Sequence, residues 1–164
     1  MENHPKIVLG IALCLGLMTW GGCATGGHQR AMPGYTDKPG EQLVASHEKT
    51  AAKYQCQGTS VLVVEKAELQ PSKVTPGQQL VSRIVYASCY TTSLKGKIIR
   101  KVIHNGETVI ALPEDIEYRP GTWVLTAHIV IPLRAGSGGY ILETKMQARA
   151  LRLQETNTFE ILRE

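Results

Sequence analysis

The side chains of this chain that could do chemistry are present but scattered. The five histidines are His4, His28, His47, His104 and His128. No two stand at the i, i+2 or i, i+4 spacing that sets two imidazoles on one face of an element to hold a metal. His104 falls beside a turn and His128 on the outer face of a strand, so both read as solvated. Glu114, Asp115 and Glu117 stand together before Tyr118. Paired carboxylates can move protons or hold a weakly bound Ca²⁺, but on an exposed loop they read as hydrated. Gly136-Ser137-Gly138-Gly139 is rich in glycine. A phosphate cradle needs a helix N-terminus next, and the residues that follow alternate like a strand, so a hairpin loop is expected. No Gly-x-Ser-x-Gly, phosphate loop or His-Glu-x-x-His is present. Lys95, Lys97, Arg100 and Lys101 form one basic cluster. It could face anionic lipid head groups or an acidic partner. The preferred reading is an edge strand guarded by lysines against edge-to-edge pairing. No catalytic residue, metal or cofactor is expected.

The composition limits the alternatives. Eighteen Lys and Arg against fourteen Asp and Glu give a net charge of +4 over 164 residues. With 43% hydrophobic and 20% charged residues the chain has ordinary globular values, which exclude disorder, collagen or coiled coil as descriptions of the whole. The charge excess is small and dispersed, which argues against a nucleic-acid binder.

Organisation starts with an address. Lys6 precedes an apolar run from Ile7 to Met18. Twelve residues make about 18 Å of helix, against the roughly 30 Å of a bilayer core. The run is too short to span, and small residues close it before Cys23, as in a cleaved export signal. Thr19-Trp20-Gly21-Gly22-Cys23 resembles the lipobox of bacterial lipoprotein precursors, although Trp20 stands where that pattern usually has Leu. The resemblance implies diacylglyceryl (palmitate-type) modification of Cys23, cleavage before it, and a mature chain of residues 23–164. Ala24 and Thr25 carry no acidic residue after the Cys, which in Gram-negative lipoproteins favours the outer membrane, facing the periplasm or the surface. Two or three acyl chains suffice to hold a protein on a bilayer.

Residues 24–40 hold Gly26, Gly27, Pro33, Gly34, Pro39 and Gly40 and few aliphatic residues. Such a segment cannot offset its ordering entropy by burial and reads as a tether of about 20–25 Å mean reach. A short helix is possible within Glu41–Tyr54. Period-two patterning then takes over. Val61, Val63, Ala67 and Leu69 are expected on one face. Leu80, Ile84 and Tyr86 share another, as do Trp123, Leu125, Ala127, Ile129 and Ile131. Tyr140, Leu142, Thr144 and Met146 follow, then Phe159 and Ile161. Asn105-Gly106 marks a two-residue hairpin. Pro113 and Pro120-Gly121 bound the Trp123 strand, and Val124, Val130 and Ile141 are expected to point outward.

The domain plan is therefore a signal at 1–22, an acylated Cys and tether at 23–55, and an all-β antiparallel sandwich of about seven strands at 56–164. The stretch from Pro120-Gly121-Thr122-Trp123 to Pro132, with Gly139-Tyr140-Ile141-Leu142, is similar to the last third of bacterial immunoglobulin-like or fibronectin type III-like domains. That similarity implies a fold and no activity.

With Cys14 in the signal and Cys23 as the lipid site, Cys56 and Cys89 remain, an even pair in an exported domain. If the first hairpin turns near Val74, the two lie within a few residues of opposite positions on paired strands, and a disulfide is expected. A reactive pair would need Cys-x-x-Cys spacing; two buried free thiols are the other alternative. The expected function is a membrane-anchored, non-catalytic envelope lipoprotein. Its sandwich would meet an unidentified envelope protein, and its anchor the lipid bilayer. A periplasmic module for a small molecule, glycan or metal is the runner-up. A hydrolase with scattered residues comes third, because short loops leave little room for a site.

Overall fold

The computed structural model describes residues 40–56 and 61–163. The signal segment, Cys23 and residues 24–39 lie outside the described residues, whereas 41–54 of the segment expected as tether form a strand and a helix. Nine strands and one helix follow in the order β1 (Glu41–Ala45), α1 (His47–Tyr54), β2 (Leu62–Gln70), β3 (Lys73–Val74), β4 (Gln79–Ser88), β5 (Leu94–His104), β6 (Glu107–Tyr118), β7 (Gly121–Val130), β8 (Gly138–Ala148) and β9 (Leu151–Ile161). One sheet has the order β1-β7-β4-β2 and the other β3-β9-β8-β5-β6. Every pairing is antiparallel except β3 with β9. The inner faces of the two sheets enclose the core, so the all-β sandwich is correct. Among the described residues it has nine strands rather than about seven.

The stripes on β4, β7, β8 and β9 point inward as their alternation predicts. Leu80, Ile84, Tyr86, Trp123, Leu125, Ile129, Tyr140, Leu142, Met146, Phe159 and Ile161 are all buried. On β2 the prediction needs correction. Leu62 and Val64 face the core, then the register shifts between Val64 and Lys66, and Ala67 and Leu69 face it afterwards. One extra residue at this bulge changes which parity points inward. Val63 therefore lies off the inward stripe.

Asn105 and Gly106 both take positive φ, 50° and 82°, between the paired residues His104 and Glu107. That is the two-residue turn whose twist suits a right-handed hairpin. Strand β6 then runs through Pro113, a residue that the sequence pattern places at its end. The proline is tolerated because β6 is an edge strand with β5 on one side only. At Gly96 of β5 an added Cβ would collide with the Gln147 carbonyl and the Tyr118 ring. Glycine here lets Tyr118 lie across the strand, where its hydroxyl donates to the Lys97 carbonyl at 2.9 Å.

The core has two apolar clusters. One holds Ile84, Tyr86, Ile98, Trp123, Leu125 and Met146. The other holds Leu80, Val102, Ile129, Tyr140, Leu142 and Phe159. Between them, three strands put a polar residue on the inner face: Ser82 on β4, Arg100 on β5 and Thr144 on β8, all buried. Arg100 Nη1 donates to Glu114 Oε2 at 3.0 Å, the carboxylate sitting at the rim.

Helix α1 packs on the outside, against β7 and β4. Ser46 caps its N-terminus, Glu48 sits in its first turn and Lys53 in its last, each favourable to the helix dipole. Gln55 closes it in the left-handed conformation. Thr50, its buried residue, shares a hydrogen bond of 2.9 Å with Thr122 on the outer face of β7.

Candidate functional site

Cys56 and Cys89 form a disulfide with Cα atoms 5.5 Å apart, closing a separation of 33 residues. The pairing is as expected, but the reason differs. Cys89 follows β4, and its N–H bonds the Val61 carbonyl at 2.8 Å, so Val61 is its strand neighbour. Cys56 follows α1. The bridge therefore ties the helix to the sandwich rather than stapling two paired strands. Around it, His47 Nε2 lies 3.5 Å from the Cys89 carbonyl. Glu65 accepts hydrogen bonds from Lys53 Nζ at 2.9 Å and Tyr54 Oη at 2.8 Å. Burial raises the Glu65 carboxyl, but these two donors outweigh it and hold the group below its ordinary range.

The basic cluster does not form one surface. Lys95, Lys97 and Lys101 point outward, whereas Arg100 points into the sandwich with a side chain only 4% exposed. Nor is β5 an edge strand, since it lies between β8 and β6. The acidic residues expected on a loop are in β6, opposite the basic ones. Lys95 pairs in register with Glu117 and Lys97 with Asp115, where the side chains meet at 3.6 Å. Glu114 takes Arg100. Lys95, Lys97 and Arg100 thus each stand against a carboxylate of β6, while Lys101 is in register with Ala111 of β6 and Glu143 of β8.

Of the residues expected to form an outward apolar patch, Val130 is 61% and Ile141 39% exposed, but Val124 is only 6% exposed. Among the described residues no group of three or more His, Cys, Asp or Glu side chains gathers as metal ligands would, and no helix is long and apolar enough to cross a membrane.

A concavity with a largely apolar lining lies at the end of the sandwich away from the disulfide. Its volume is about 310 Å³. Val102, Ile131 and Ile161 form its floor, and Val109 and Ile110 at the start of β6 form one wall. The segment Pro132–Gly136 forms the other. His104 and Tyr140 also line it, their rings stacked with centroids 4.1 Å apart, and Phe159 stacks behind Tyr140 at 5.4 Å. The Gly139 carbonyl, 3.0 Å from His104 Nδ1, can only accept, so Nδ1 carries a hydrogen there. Asn105 Nδ2 lies 3.2 Å from Nε2, which accepts. Tyr140 Oη donates to the Gly136 carbonyl at 2.8 Å and pins the loop. Arg134 stands at the mouth, exposed. Val109, in the lining, is 53% exposed.

From sequence alone His104 reads as a solvated side chain and residues 136–139 as a hairpin loop. One signal was available: His104 has the same even parity as Ile98 and Val102, the inward residues of its strand. The segment Pro132–Gly136 offered none, because its place over β6 depends on sheet-to-sheet packing.

No protein-family model matches the chain, and no curated protein matches it. Among solved structures it is similar to the sporulation control protein Spo0M from Bacillus subtilis, at 9% identity and a TM-score of 0.49, over 65% of this chain and 51% of that one. It is also similar to a β-glucosidase from Erythrobacter marinus, at 6% identity and a TM-score of 0.46, over 63% of this chain and 16% of that one. A third is the alkylpurine DNA glycosylase AlkC from Pseudomonas fluorescens, at 11% identity and a TM-score of 0.46, over 71% and 34%. The chain thus spans about half the length of the first and far less of the others. At these values the likenesses assign neither family nor activity.

Proposed function

We propose that this chain is a lipid-anchored protein of the bacterial cell envelope, held in the outer membrane through Cys23, that presents a non-catalytic, immunoglobulin-like sandwich to a partner protein. The observation that carries the reading is the Cys56–Cys89 disulfide. Such bonds persist in oxidising compartments, which agrees with export behind the Ile7–Met18 signal. Gly40 leads directly into β1, so the tether would meet the domain at a sheet edge. The mass of the protein from its native membrane tests this. It should equal residues 23–164 plus acyl chains and rise by about 2 Da on reduction. Cys23→Ala should release the chain from the membrane fraction, and retention there would sink the anchor.

A ligand-binding module is the second reading. The apolar pocket beside Tyr140 favours it, since small-molecule sites are concave and mostly apolar with a few placed polar groups.

A further inference from the structure

We propose that the pocket at the open end of the sandwich binds a single-chain amphiphile of about eight to ten carbons, its anionic head group held by Arg134. The size follows from the volume. At the ~30 Å³ that a water occupies in the liquid, close to the space of a methylene, 310 Å³ holds about ten heavy atoms. The apolar character follows from Val102, Val109, Ile131 and Ile161. The polar groups deeper in the pocket already have partners: His104 is engaged at both ring nitrogens, and the Tyr140 hydroxyl bonds Gly136. Their N–H and O–H donors are thus taken and none is left for a polar tail, and the stacked rings present an apolar wall. The sign of the head group follows from Arg134. It carries the one permanent charge in the lining and lies at the mouth, where a head group would meet water. A guanidinium suits a carboxylate or a phosphate equally, so a fatty acid and an anionic lipid share the required chemistry.

This inference is independent of how the chain is anchored, and its test is too. The probe is decanoate below its micelle-forming concentration, titrated calorimetrically into the full-length chain carrying Cys23→Ser, which cannot bear an acyl group of its own. One decanoate should bind per chain, about three- to fourfold more tightly for each methylene added from hexanoate to decanoate. Decyltrimethylammonium should bind at least ~10-fold more weakly, a full reversal of charge at a partly exposed site. Arg134→Glu, at an exposed position that leaves the fold intact, should erase or invert that preference. Ala135→Trp should fill the pocket and abolish binding of both. Equal affinity for the two head groups overturns the assignment to Arg134. Decanoate binding that survives Ala135→Trp unchanged overturns the site. Absence of saturable binding by any of these amphiphiles overturns the proposal and leaves the pocket to a side chain of a partner protein. Anionic phospholipid vesicles given the same variants then separate the lipid source from the free acid.

Discussion

Tyr86 is buried, its hydroxyl accepting the Arg119 N–H at 3.0 Å and its ring set edge-on to Tyr118 at 5.4 Å. Burial pushes both phenols well above their ordinary value of 10.0. A group whose proton is held more tightly in the folded state stabilises fully below its unfolded pKa and loses that contribution as pH rises past it. Unfolding should therefore become easier above about pH 10, accompanied by phenolate absorbance. Tyr86→Phe should reduce this alkaline slope. At neutral pH it should cost about 1–3 kcal/mol in denaturant unfolding, because the Arg119 N–H loses its acceptor. Nearby, Arg119 Nη2 meets Glu41 Oε2 at 3.2 Å with both side chains nearly covered, and the guanidinium lies 4.9 Å over the Trp123 ring. Breaking a covered ion pair by removing its carboxylate is destabilising, so Glu41→Leu should cost up to about 3–5 kcal/mol and loosen β1. Amide exchange in β1 reads that loosening directly. Gly96→Ala should cost about 1–3 kcal/mol by overpacking, since a backbone carbonyl stands in the way.

Helix α1 is tied to the sandwich by the Thr50–Thr122 bond, the His47 contact with the Cys89 carbonyl, the Glu65 pair of donors and the disulfide. Cys56→Ser with Cys89→Ser should lower stability by about 3–4 kcal/mol in the chain-entropy account, measured by denaturant unfolding against the oxidised, disulfide-bonded wild type. The lowered Glu65 carboxyl stabilises above its ordinary 4.5 and loses that contribution as pH falls through its folded value. Because Lys53 is largely exposed, the effect is small, and Glu65→Gln should only flatten the acid limb of a stability profile. Much of this element scale was legible beforehand. Strands that bury one face write alternation into the sequence, so β4, β7, β8 and β9 could be read residue by residue. Strand β1 could not, because Glu41–Ala45 has helix-tolerant composition and becomes a strand only by pairing with β7. The bulge in β2 and the passage of β6 through Pro113 were hidden for a related cause. Both depend on the partner strand, which periodicity does not name.

For the molecule as a whole, the disulfide was readable from cysteine arithmetic, but its geometry was not, since that depends on where α1 docks. The pocket was less legible still. Its walls come from five separate segments, and only tertiary packing gathers Val102, Val109, Ile131, Arg134 and Ile161 at one end. The buried layer of Ser82, Arg100 and Thr144 has one more consequence. Alternation distinguishes inside from outside and so forbids a slip of one residue, but a slip of two restores the same faces. Here a two-residue slip of β5 against β8 would carry Arg100 off Thr144 and into an apolar layer beside Leu142 or Met146. A cation without its carboxylate among aliphatic side chains is costly. The guanidinium thus acts as an index mark along the strand, fixing absolute position where the hydrophobic pattern fixes only parity. Arg100→Met should keep or raise thermal stability while admitting a second register, visible as doubled amide resonances in β5.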